Sequence, residues 1–169
     1  MTHNLPAAVR TLCYVLDPNP PGRILLGLKK RGFGAGKYNG FGGKPEVGES
    51  ILEAAIRELH EESGVRVDPS QLRSVALIQF AFLARPEWNQ RVHVFLTETW
   101  HGIPVETEEM SPRWFPTNAI PYTKMWADDG YWLPRVLGGQ RIRARFTFDH
   151  DNETICGAQV HPWHDDGQN

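Results

Sequence analysis

An α+β domain is the fold class that the sequence predicts, and three observations carry it. Apolar runs with strand chemistry recur in pairs separated by turn residues. Between them one segment shows the spacing of an amphipathic helix and another is bounded by helix start and stop signals. The chain of 169 residues contains no internal repeat and no linker, so one domain with a real core is expected over residues 1–169. The core is expected over about 7–160, with 161–169 as a flexible tail.

The elements are taken in chain order. Val9 to Leu16 and Arg23 to Leu28 read as two strands across the turn-rich Asp17–Gly22. From Lys29 to Lys44 a glycine-rich stretch sets cations among flexible backbone N–H groups, which suits close approach to a polyphosphate. A helix comes next. Ser50 and Glu53 form a capping box, Gly64 after Ser63 is a left-handed stop, and roughly three to four turns lie between. At about 100° per residue, Leu52, Ala55, Ile56 and Leu59 share the core face. Glu53, Arg57 and His60 point outward, while Glu58, Glu61 and Glu62 form a third, partly sheltered sector. Arg57 and Glu61 sit four apart and pair along the helix.

Ser74 to Leu83 and Arg91 to Trp100 make a second strand pair across a loop with Pro86. A short strand runs through Arg113 to Phe115. The second helix starts at an Asp128-Asp129 cap and ends near Gly138-Gly139, with Pro134 confining regular hydrogen bonding to the residues after it. Arg143 to Phe148 and Thr154 to Val160 are the terminal strand pair. His161 and His164 belong to the frayed tail rather than to a metal pair.

Charge is nearly balanced, with 18 Lys and Arg against 20 Asp and Glu, so no broad nucleic-acid or membrane binding is expected. No apolar run approaches about 18 residues and no signal peptide is expected, which points to a cytoplasmic protein. Cys13 and Cys156 lie in apolar strand-like runs and read as buried free thiols rather than a disulfide.

The chemistry concentrates in the first helix. Three carboxylates crowded at i, i+3 and i+4 need counter-charge. Hard oxygen ligands of this kind suit Mg²⁺ or Mn²⁺ bridging to substrate phosphates. Taken alone, the helix reads first as a solvated acidic face; the flanking residues turn the reading toward metal. Asn39 carries a donor pair and an acceptor fit for a purine edge. Phe33, Phe80, Phe82 and Trp126 are candidates to wall a slot for a flat base, although isolated aromatics are usually core.

Gly43, Glu49, Arg57-Glu58-Leu59, Glu61-Glu62 and Gly64-Val65 stand at spacings that resemble the Nudix hydrolase signature at every specified position. The resemblance implies a Nudix fold, a mixed sheet sandwiched between helices. It also implies a metal-bearing loop–helix–loop that hydrolyses a nucleoside diphosphate linked to another group. By it, Glu58, Glu61 and Glu62 hold Mg²⁺, with Mn²⁺ as substitute, and Arg57 orients them. The Gly42 or Gly43 carbonyl adds an oxygen, and Glu49 braces the loop. Which glutamate acts as base stays open.

Leu25–Lys44, Glu109-Met110 and Met125–Asp129 resemble one branch, the animal-type MutT homologues, which hydrolyse oxidised purine nucleoside triphosphates. Similarity runs from Thr11 to Phe148. It implies that Asn39, Asp128 and Asp129 hydrogen-bond the base, that Trp126 stacks on it, and that Thr11, Lys29, Phe33 and Phe80 line the same pocket. Glu109 approaches the metals from a separate loop, and Lys44 steadies phosphates. A monomer converting 8-oxo-dGTP and 2-hydroxy-dATP to monophosphate and pyrophosphate is the implied enzyme. In an apolar pocket one aspartate stays protonated and donates while its neighbour accepts; the plainer role for Asp128 is a helix cap. Departures are Tyr38, where the branch commonly has an indole, expected to reshape the pocket floor, longer loops at Asp17–Gly22 and Pro86–Gln90, and a divergent tail after Phe148. Two rivals remain. A Nudix enzyme for ADP-ribose or a dinucleoside polyphosphate needs no Trp126–Asp128–Asp129 reader, and a non-catalytic nucleotide binder would have lost a metal glutamate.

Overall fold

A computed structural model describes residues 7–164. Eight strands and two principal helices follow one another as β1 (Ala8–Asp17), β2 (Arg23–Lys29), β3 (Tyr38–Asn39), α1 (Ile51–Ser63), β4 (Arg73–Phe82), β5 (Gln90–Thr97), β6 (Met110–Pro116), α2 (Asp129–Leu137), β7 (Ile142–Phe148) and β8 (Ile155–Pro162). They form one mixed sheet in the order β3-β2-β1-β5-β4-β7-β8, with β6 also on β2. The β1–β5 and β4–β7 pairs are parallel and the remaining pairs antiparallel.

Strand alternation sorts the core into two layers. Tyr14, Leu16, Ile24, Leu26 and Ile78 face α2 and pack on Trp132, Leu133 and Val136. Cys13, Val15 and Leu25 point the other way onto Ala55 and Leu59 of α1. Successive β1 residues are thus buried on opposite faces, which is why Leu12 to Leu16 reads as a continuous apolar run instead of an alternating one. Each fully buried leucine contributes about 1.5–3 kcal/mol. The mixed sheet between two helices agrees with the expected architecture.

α1 has both caps that the sequence predicts. Ser50 Oγ accepts from Glu53 N–H at 3.1 Å, Glu53 Oε2 accepts from Ser50 N–H at 2.7 Å, and Gly64 is left-handed at φ 76°. The sector assignment needs two corrections. Arg57 is not outward; ion pairs draw it down over the preceding loop. Glu61 is exposed, whereas Glu62 is buried.

Other boundaries shift for physical reasons. β5 ends at Thr97, whose hydroxyl bonds the backbone of Thr99, and Trp100 leaves the sheet to meet Trp114. β6 is longer than Arg113–Phe115 because its full length pairs with β2. α2 runs through Pro134, past its first turn, so the helix lacks the N–H that this residue would donate, and it continues to Gly138, whose N–H donates to Pro134 O at 3.0 Å. Asp128 stands at the N-cap position of α2 but makes no side-chain cap bond. Its side chain accepts from Trp132 Nε1 at 2.8 Å instead.

The tail is ordered further than expected. His161 and Pro162 pair with Arg143 and Ile142, and Trp163 N–H donates to Arg141 O at 2.7 Å. Residues 165–169 lie outside the described range. Both cysteines are free, but only Cys13 is buried, and burial pushes its thiol up to about 12. Cys156 is exposed on edge strand β8.

Candidate active site

The loop before α1 is held by one guanidinium. Arg57 meets Glu49 at two points, Nε to Oε2 at 2.6 Å and Nη2 to Oε1 at 2.8 Å. Its other hydrogens reach Lys44 O, Glu58 Oε1 and Glu61 Oε2 at 3.1, 3.0 and 3.1 Å. A planar fork suits such two-point contact with a carboxylate, and it holds the Glu49 carboxyl down at about 2. Glu58 is thereby pressed against Gly43, where a Cβ would lie 2.5 Å from its Oε1. Only glycine permits that approach.

Glu62 sits deeper, at 5% exposure. Its Oε1 accepts from Gly42 N–H at 2.8 Å and its Oε2 lies 3.9 Å from Lys29 Nζ. Burial drives its carboxyl up to about 7; the Gly42 N–H and Lys29 oppose this, and Glu58 and Glu109 add to it. Burial likewise raises Glu58, with Arg57 opposing. Glu109, just before β6, contacts Arg31 at 2.6 Å and Lys29 at 3.5 Å. The Arg31 hydrogen bond holds its carboxyl below the usual range. Lys29 therefore joins Glu62 to Glu109 across the site. Gly43 O already accepts from Thr11 N–H at 2.9 Å and faces the Thr11 hydroxyl at 3.4 Å.

Among the described residues no three acidic, imidazole or thiol groups stand together as a finished metal cage. The donors nonetheless fit a hard cation. Glu58 and Glu62 are carboxylates raised by burial beside like charge, and a bound cation relieves that repulsion.

A cavity of about 340 Å³ connects this end to the start of α2. Glu62, Gly42, Gly43, Lys29 and Thr11 line one part, and Asn39, Trp126, Asp128 and Asp129 another. Asn39 Oδ1 accepts from Tyr14 Oη at 3.2 Å and from Gly40 N–H at 2.9 Å, which leaves the amide nitrogen to donate. Phe33 stacks on Trp126 at 5.1 Å with planes 24° apart, and Phe82 on Phe148 at 4.8 Å. Asp128 and Asp129 are 3% and 2% exposed. Asp129 Oδ2 is buried with no hydrogen-bond partner among the described residues. Burial and then the Asp128 charge raise the Asp129 carboxyl well above the usual range; burial also raises Asp128, with the Trp132 N–H pulling it back.

A loop–helix carboxylate cluster thus stands at one end of an aromatic slot, with the close Gly43–Glu58 contact between loop and helix. The family model of the NUDIX domain matches residues 6–136. The chain belongs to the NUDIX family. It is 48% identical over 145 residues to the oxidized purine nucleoside triphosphate hydrolase of Mus musculus, covering 86% of this chain and 88% of that one. With the protein of the same name from Danio rerio it shares 50% over 142 residues, covering 83% and 87%. A MutT protein of Bacillus halodurans has the same fold, with a TM-score of 0.77 at 24% identity over 90% of this chain and 96% of that one.

Of the residues expected in the NUDIX site, Thr11, Lys29, Phe33, Asn39, Gly42, Gly43, Glu62, Phe80, Trp126, Asp128 and Asp129 line the one cavity. Glu58 stands behind Gly43, and Glu109 is linked through Lys29. Glu61 is more exposed and shares the Arg57 Nη1 with Glu58. Tyr38 does not reach the pocket floor; it points to Phe115 at 4.9 Å, because alternate strand residues face opposite sides. Sequence reasoning missed Arg10, Trp88, Gln90, Met110 and Phe148, which also line the cavity. Trp88 had a signal, since it sits in the unusually long Pro86–Gln90 loop. Arg10 had none, because only the β1–β5 register, with Arg10 opposite Val92, brings it to the slot.

Proposed function

We propose that this chain hydrolyses oxidised purine nucleoside triphosphates, 8-oxo-dGTP and 2-hydroxy-dATP, to the monophosphate and pyrophosphate, using Mg²⁺ or in its place Mn²⁺. The observation that carries this reading is the buried Asp128–Asp129 pair with the partnerless Asp129 Oδ2, placed in the same cavity as Glu62. An ordinary nucleotide phosphate site has no use for two buried acids at its aromatic end. Relatives at 48% and 50% identity bear the corresponding name, which supports the reading.

Glu58 and Glu62 are the residues proposed to hold the cation, with Glu109 and Glu61 nearby. When bound, the ion supplies charge neutralisation and a more acidic water at the scissile phosphorus. Arg57 keeps Glu58 in place and Gly43 gives it room. Lys29 neutralises part of the acidic cluster and faces the phosphates. At the other end the base lies against Trp126, Asn39 donates from its amide nitrogen, and protonated Asp129 donates while Asp128 accepts.

The test is pyrophosphate release with Mg²⁺ from 8-oxo-dGTP, 2-hydroxy-dATP, dGTP, dATP and ADP-ribose. A kcat/KM at least tenfold higher for the oxidised purines is expected. Preference for ADP-ribose would keep the NUDIX chemistry and discard the base-reading role of the acid pair.

A further inference from the structure

The chain is close to neutral, yet one face of its sheet is not. β4, β5, β7 and β8 contain no aspartate or glutamate at all. Their side chains opposite the α2 layer form two cross-strand rows. In the first, Arg91 pairs with Gln79, Gln79 with Arg145, and Arg145 with Gln159. In the second, His93 pairs with Leu77, Leu77 with Arg143, and Arg143 with His161. Arg91, Gln79, Arg145, Gln159, Arg143 and His161 are all exposed, because the α1-side core takes residues of β1, β2, β6 and the Phe95 end of β5 and none of β7 or β8.

Several cations elsewhere in the molecule sit against acids. Arg23, Lys29, Lys30, Arg31, Lys37, Arg57 and Arg85 each pair with a carboxylate. Among the described residues no carboxylate lies within ion-pair distance of Arg91, Arg143 or Arg145. Strand geometry sets the spacing of these cations. Arg91 and Arg145 are two strands apart, roughly 10 Å, and Arg143 and Arg145 are two residues apart, roughly 7 Å. Flat, cationic and studded with glutamine amides, the face matches a flexible chain of phosphates with base edges between them.

We propose that this face binds a single-stranded polynucleotide through its phosphates, separately from the hydrolytic cavity. A duplex is a poorer fit, since no helix or ribbon projects from the face to enter a groove. A lipid surface is poorer still, since none of the exposed large apolar side chains (Phe33, Val47, Leu83, Ile103, Val105, Tyr131) lies on these strands to insert. Trp163, held between Arg141 at 3.7 Å and Arg143 at 4.8 Å, borders the face and offers an aromatic surface for an unpaired base.

The test is fluorescence anisotropy with labelled dT15 and U15, a labelled duplex of equal length, and phosphatidylserine vesicles, over a salt series. Binding of the single strands is expected, with log K falling against log salt at a slope of about −2 for three phosphate contacts. The stronger of dT15 and U15 identifies whether DNA or RNA is the source. Arg91→Glu/Arg143→Glu/Arg145→Glu should weaken binding at least tenfold while kcat/KM for nucleotide hydrolysis stays unchanged. The milder Arg→Gln set repeats the measurement if the glutamates impair folding. Single-strand binding that is absent, that survives both triple variants, that is abolished by excess nucleoside monophosphate, or that is matched by duplex or vesicles overturns the proposal.

Discussion

At the residue scale, two buried acids do opposite things to stability and function. Glu62 is proposed to meet the cation, so Glu62→Gln should lower kcat by about 100-fold or more, the size expected when a group acting in the transition state is lost. It should leave the melting temperature level or higher, since a raised carboxyl is replaced by a neutral amide. Steady-state hydrolysis beside a thermal melt checks both. Asp129 carries no compensating bond for Oδ2, and its folded-state carboxyl is raised well above the usual range. The native chain therefore holds a proton that the unfolded chain releases near pH 4, and stability falls as pH rises from there toward the folded value. Asp129→Asn removes that dependence. Its melting temperature should exceed that of the parent, with a gap that widens from pH 4 to pH 7, by about 2–4 °C for each kcal/mol relieved. Equal gaps at both pH values would mean that the pair is not held protonated. In the same variant, 8-oxo-dGTP and 2-hydroxy-dATP should be affected unequally, as should be the case for Asp128→Asn in the other sense; equal losses in both variants would end the donor–acceptor assignment.

At the element scale, the loop–helix unit separates fold from chemistry at neighbouring glycines. A Cβ on Gly42 would overlap the Thr11 carbonyl, which is backbone in a paired strand and has nowhere to go. On Gly43 it meets the Glu58 carboxylate, a side-chain end that moves aside. Gly42→Ala should therefore lose several degrees of melting temperature, whereas Gly43→Ala should fold near normally and lose at least tenfold in kcat. Ser50→Ala makes the third arm: about 1 kcal/mol of stability from the lost cap with no change in kcat/KM. The capping box, the glycine stop and the glutamate spacing are legible in sequence because they are local, set by neighbours within a few residues. Strand lengths are less so. β6 and β8 run past their apolar cores because β2 and β7 offer partners along their whole length, and that pairing is not written in either segment. Helical angle alone assigns Arg57 to solvent, and Glu49, outside the helix, decides otherwise.

At the scale of the whole molecule, the segment beyond residue 136, where the NUDIX family model ends, is built into the sheet. β8 covers the open edge of β7 over seven register pairs from Ile142 to Phe148, and Ile155 and Val160 pack on the α2-side core. The turn before β8 also touches the glycine-rich loop, where Lys37 Nζ meets Glu153 Oε2 at 2.8 Å and lies 5.0 Å over the Trp126 ring. None of the proposed metal or base-contacting residues comes after Phe148, so sequence alone assigns the end of the chain no task. Its position provides two: closing an edge that would otherwise invite pairing with another chain, and anchoring the loop that carries Phe33. A chain stopped after Asn152 should then melt well below the parent and associate at higher concentration, as read by calorimetry and light scattering. Glu153→Lys leaves β8 in place and opposes Lys37 with like charge. It should keep the melting temperature within a few degrees and raise KM for the oxidised purine at nearly constant kcat, because the loss falls on how Phe33 and Trp126 are presented and not on the carboxylates. A fall in kcat at constant KM would instead tie the turn to the metal end of the cavity and separate it from base binding.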